Sequence, residues 1–61
     1  MFRVRFWNEA DENIKVAGRF AFEFDAKEDA WYAANALLQC AHDLGAVAMD
    51  INNEFYPIEE N

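Results

Sequence analysis

Cys40 and His42 are the single thiol and the single imidazole of the chain, the two groups first sought for nucleophilic or general-base chemistry at neutral pH. Two positions apart on a helix, their side chains diverge by about 200°, so they form neither a thiolate–imidazole pair nor a shared metal site within one subunit. Structural places are expected for both. Cys40 reads as a small, semi-buried apolar residue, and His42 as a helix-edge residue near the negative C-terminus, where a positive ring is favoured. Serine and threonine are absent altogether, which removes two further nucleophiles, any N-glycosylation acceptor and every hydroxyl phosphoacceptor except tyrosine. Asp50, Asn52 and Glu54 would share one face of an extended strand and offer oxygen atoms to a hard cation. They lack the Asp-x-Asp-x-Asp-Gly loop of a calcium site, so no metal is assigned to them. No catalytic residue and no cofactor is expected, and the chain reads as a non-enzymatic protein.

The chemistry that remains is that of charge. Twelve acidic residues face five basic ones, giving a formal net charge of −7, and all the bases (Arg3, Arg5, Lys15, Arg19, Lys27) fall within the first 27 positions. From Glu28 to Asn61 there is no Lys or Arg. Such a surface repels nucleic acid and membranes and attracts basic protein surfaces. The carboxylates predicted to make that contact are Glu9, Asp11 and Glu12 in one loop, Glu28 and Asp43 on one helix, and Glu59 and Glu60 at the end of the chain. Tyr32, Asn35 and Gln39 stand on the same helix face as Glu28 and Asp43. Tyrosine combines a large apolar body with a polar tip and is enriched at protein interfaces.

The elements that must position these groups follow from hydrophobic periodicity. Phe2, Val4 and Phe6 alternate with Arg3, Arg5 and Trp7, the pattern of a strand buried on one face. The polar run 8–13 is a connecting loop. A second alternation places Ile14, Val16, Phe20, Phe22 and Phe24 on one side of a long strand, with Gly18 as a bulge or twist within it. Asp25 and Glu28 have the spacing of a capping box and Gly45 suits a left-handed stop, so a helix is predicted over 26–44. Its apolar stripe is Ala30, Ala34, Leu37, Leu38, Ala41 and Leu44. Val47, Met49 and Ile51 then alternate with Ala48 and Asp50 as a third strand. Asn52-Asn53 is a turn, and 55–58 is a short fourth strand that Pro57 confines to an edge.

The resulting expectation is an α+β fold: an antiparallel three- to four-stranded sheet in the sequence order ββαβ(β), arranged 2-1-3-(4), with one helix packed on one face. It would gather Glu9, Asp11, Glu12, Asp43, Glu59 and Glu60 at one end, and leave Arg3, Arg5, Lys15 and Arg19 on the uncovered sheet face. There the arginines are expected to pair with Glu23 and Asp50, with Trp7 packed against their stems or under a partner subunit. Sixty-one residues make a single domain that buries only about 60% of its unfolded surface. The unpaired cysteine, the lack of a signal-peptide pattern and the lack of a membrane-length apolar run point to a soluble, cytoplasmic protein.

The acidic segment from Glu28 to Asn61, the acidic loop Glu9-Ala10-Asp11-Glu12 and the exposed Tyr32/Asn35/Gln39 helix resemble small phage-encoded inhibitors, anti-CRISPR proteins in particular. The resemblance spans the chain and rests on size, charge and architecture. It implies a protein made in the cytoplasm of a bacterial host cell that binds a basic nucleic-acid channel of a CRISPR effector complex and blocks DNA access by mimicry or steric occlusion. The alternative is a structural or regulatory module that homodimerises through its open sheet face or an edge strand.

Overall fold

The computed structural model describes residues 1–58, and Glu59 and Glu60 lie outside the described residues. The chain runs β1 (Phe2–Asn8), β2 (Asn13–Ile14), β3 (Ala21–Phe24), α1 (Lys27–Asp43), β4 (Ala46–Ile51) and β5 (Glu54–Pro57). All pairings are antiparallel. β1 and β4 form the centre, β5 is one edge, and β2 and β3 share the other. The expected α+β architecture and strand order are therefore present, with α1 packed on one face of the sheet.

Alternation along β1 and β4 determines which face that is. Val4 pairs with Ile51 and Phe6 with Met49, and all four are buried with Ala30, Ala34 and Ala41 of the helix. Alanine at these helix positions lets the backbone approach the sheet closely, while Leu37, Leu38 and Trp31 flank the contact. The Trp31 ring meets Tyr56 of β5 edge-on at 5.0 Å, a favourable aromatic geometry that ties the short edge strand to the helix.

The predicted long second strand is in fact two short ones. Phe6 pairs with Ile14 while its neighbour Arg5 pairs with Ala21, so residues 15–20 are extruded from the edge. They fold back as a tight turn in which Val16 and Arg19 exchange both backbone hydrogen bonds, at 2.8 and 3.1 Å. Ala17 and Gly18 both have positive φ, 51° and 79°, as a type I′ turn requires, so Gly18 belongs to a turn and not to a bulge. The Asn13 amide closes the neck of the extrusion by donating to the carbonyls of Phe6 and Phe20. Val16 is thereby brought into the core, whereas Phe20, expected beside it, is 53% exposed.

Three smaller expectations are also corrected. The helix N-cap is Ala26, which offers no side-chain acceptor, so the Asp25/Glu28 capping box does not form. The stripe of buried alanines sets the helix register and leaves Asp25 one residue too early. Leu44 is the C-cap and lies largely exposed where the chain leaves the helix, although Gly45 does supply the left-handed residue, at φ 95°. The register shifts between Trp7 and Asn8, which pair with Ala48 and Ala46, so Val47 is an extra, bulged residue of β4; Ala46 is buried and Val47 is 46% exposed.

Candidate functional site

The outer face of α1 is as the periodicity predicts. Glu28, Tyr32, Asn35, Gln39 and Asp43 are all exposed, Tyr32 to 78%. Gln39 donates to the Asp43 carboxylate at 3.0 Å, an i, i+4 contact that orders the last turn. At 1.5 Å rise per residue, Glu28 and Asp43 stand about 22 Å apart. Glu28 is therefore at one end of the molecule and Asp43 at the other.

The turn 9–12 is held firmly at the same end as Asp43. Asn8 and Glu12 are joined by three bonds: Asn8 N–H to the Glu12 carbonyl, Glu12 N–H to the Asn8 side-chain oxygen, and the Asn8 amide to the Glu12 carboxylate. Asp11, at φ 62°, donates its N–H to the Asn8 carbonyl. Glu9, Asp11 and Glu12 are consequently exposed on a well-braced turn. Glu9 shares an open cleft of about 430 Å³ with His42 and Gly45 at the helix end, Ala46 and Val47 of β4, and Ile58. The loop, the helix C-terminus and Ile58, just after β5, thus converge as the topology requires. Cys40, expected to be semi-buried, is exposed.

The other face of the sheet is less open than its sequence suggests. Asp50 lies on it, between Arg5 and Phe55 on the adjoining strands, yet is fully buried. Its Oδ2 accepts both Arg5 Nε, at 3.0 Å, and Trp7 Nε1, at 2.6 Å, while Oδ1 has no protein partner. The Arg5 guanidinium also lies 4.9 Å from the centroid of the Trp7 ring, and Trp7 in turn is 6.0 Å from Phe55. Arg5 and Arg3 both reach the side-chain oxygen of Asn53, at 3.1 and 3.4 Å, and Asn52 binds the Arg3 backbone in both directions. The expected Arg5–Asp50 pair is present, and among the described residues it is the ion pair that forms; Arg3 and Glu23 stand opposite each other without one. Lys15 and Arg19 sit on the extruded turn, with the Lys15 ammonium 5.3 Å from the Phe20 ring centroid.

This arrangement engages Arg3 and Arg5 internally. It also commits Asp50 and Asn52, two of the three residues considered for a cation. Among the described residues no group of three His, Cys, Asp or Glu side chains is placed to hold a metal ion, and no helix is long and apolar enough to cross a membrane. The Trp7–Asp50 bond was not foreseen, although Trp7 and Asp50 share a face. The cleft was missed too, because a β-bulge that exposes Val47 leaves no periodic signal. Comparison with protein-family models, curated proteins and solved structures finds no match.

Proposed function

We propose that the chain is a non-enzymatic inhibitor that binds a basic, nucleic-acid-binding protein surface and keeps nucleic acid from it. The observation that carries this reading is the exposed face of α1, free of Lys and Arg, running into the braced acidic turn 9–12. Steric occlusion suits it better than mimicry of a duplex. Over the roughly 22 Å between Glu28 and Asp43 a duplex would present about a dozen phosphate charges, against two carboxylates on the exposed helix stripe. Glu9, Asp11, Glu12 and Asp43 are exposed together at one end, where they can attract arginines and lysines. Tyr32, Asn35 and Gln39 supply shape and hydrogen bonding along the rest.

The resemblance to small anti-CRISPR proteins makes a CRISPR effector complex the first partner to test. A purified effector bound to a fluorescent target duplex should release it as the chain is added, and release should weaken as salt rises. The charge-reversed variant Glu9→Lys/Glu12→Lys/Asp43→Lys should lose this activity. Equal displacement by that variant at low and high salt would remove the proposal. The homodimer reading draws on Phe55, 58% exposed beside Trp7 on the sheet face. A dimer in sedimentation that Phe55→Ala dissociates would favour it.

A further inference from the structure

The cleft between the acidic turn and the end of α1 has walls of two kinds. Glu9 brings a carboxylate, and His42 and Gly45 stand at the C-terminus of the helix, the negative end of its dipole. Ala46, Val47 and Ile58 also line it, and Val47 is half exposed in a strand whose last three residues are buried. A space of about 430 Å³ lined both by apolar side chains and by a carboxylate at the negative helix end suits an elongated cation with a hydrocarbon stem.

We propose that this cleft receives an arginine side chain of the partner protein. The methylene stem lies along Val47 and Ile58, and the guanidinium lies against Glu9 and the helix end. Arginine fits better than lysine because its planar fork binds a carboxylate through two parallel hydrogen bonds and is more weakly hydrated than an ammonium. The inference rests on the proposed function, since the basic surface supplies the arginine. It concentrates recognition at one point instead of spreading it along the helix.

The test is a nitrogen-15 NMR titration of the whole chain with N-acetyl-arginine amide, with the lysine and norleucine analogues as comparators. Saturable shifts at Glu9, Gly45, Val47 and Ile58 are expected, larger with the arginine probe than with either comparator. Glu9→Gln, on an exposed turn, should weaken binding about threefold to fivefold at low salt. Val47→Lys places the chain's own cation in the cleft and should abolish the saturable response while the spectrum stays dispersed. Shifts that spread evenly over the carboxylates, including Glu28 at the far end, would overturn the proposal, as would an unchanged affinity in Glu9→Gln. That last variant needs no repacking, so it decides the matter even if Val47→Lys fails to fold. Loss of duplex displacement in the charge-reversed variant with no arginine binding in the cleft would refute the cleft alone; arginine binding without displacement would refute the inhibitor reading alone.

Discussion

Asp50 invites the sharpest perturbation, because a fully buried carboxylate holds Arg5 and Trp7 through one oxygen. Removing one member of a buried pair typically costs about 3–5 kcal/mol. In Asp50→Ala the stranded guanidinium keeps its bond to Asn53, and the Arg5 side chain is still 20% exposed, which places that loss near about 2–3 kcal/mol. The Trp7 N–H loses its acceptor as well, adding about 1 kcal/mol. The sum is about 3–4 kcal/mol, a large share of the roughly 3–9 kcal/mol expected for a chain of this length. Arg5→Met is expected to be at least as damaging, since it leaves a fully buried charge with only the indole as donor. The double variant Asp50→Ala/Arg5→Met removes both charges together and should be about 1–2 kcal/mol more stable than either single variant.

Urea unfolding followed by tryptophan fluorescence measures this, with a slope near about 1 kcal/mol per molar for so small a domain, so each single variant should lower the midpoint by about 3 M. The cycle is best run in a stabilised background so that every variant has a folded baseline. Single losses below about 0.5 kcal/mol, the range of an exposed pair, would refute the reasoning. Simple additivity of the two losses would refute it equally, because the argument requires strong coupling.

Ala17→Asn should stabilise by about 0.5–1 kcal/mol, since Asn-Gly is the preferred pair for a turn with two left-handed residues; a lowered melting temperature would contradict the I′ assignment. Ala26→Ser should add about 1 kcal/mol by capping a helix that has no side-chain cap, whereas Asp25→Ala should leave helix stability nearly unchanged, as thermal melts followed by circular dichroism will show. Trp31→Ala should cost about 2–3 kcal/mol and increase amide hydrogen exchange first in β5, because the ring is what joins Tyr56 to the helix. Tyr32→Ala should change stability by less than about 0.5 kcal/mol, since most of the ring is in water, yet weaken duplex displacement.

Local pattern was enough for much of the fold. Strict alternation in 2–7 identifies β1 and its buried face, the alanine and leucine spacing identifies α1, and Gly45 marks its end. Pro57 confines β5 to an edge, and the exposed stripe from Glu28 to Asp43 follows from helical geometry alone. Each is a property of neighbours in the chain, which is why one sequence suffices to read it. Periodicity continued unbroken through 14–24, by contrast, while the strand it implied is split. Only the pairing with β1, in which Phe6 meets Ile14 and Arg5 meets Ala21, shows that six residues must be extruded and that Val16, not Phe20, reaches the core.

The same division holds for the surface. That the chain is acidic after Lys27, and that one helix face is polar and free of bases, is written in residue order. That Asp50 is buried against Arg5 and Trp7, tying up one arginine of the basic face, depends on the register of β1 against β4. That Val47 opens into a cleft beside Glu9 depends on one bulge in β4, opposite Trp7 and Asn8. Residue order determined what charge the protein carries. Long-range register decided which charges face solvent, because only strands brought together from distant parts of the chain can cover one group and expose another.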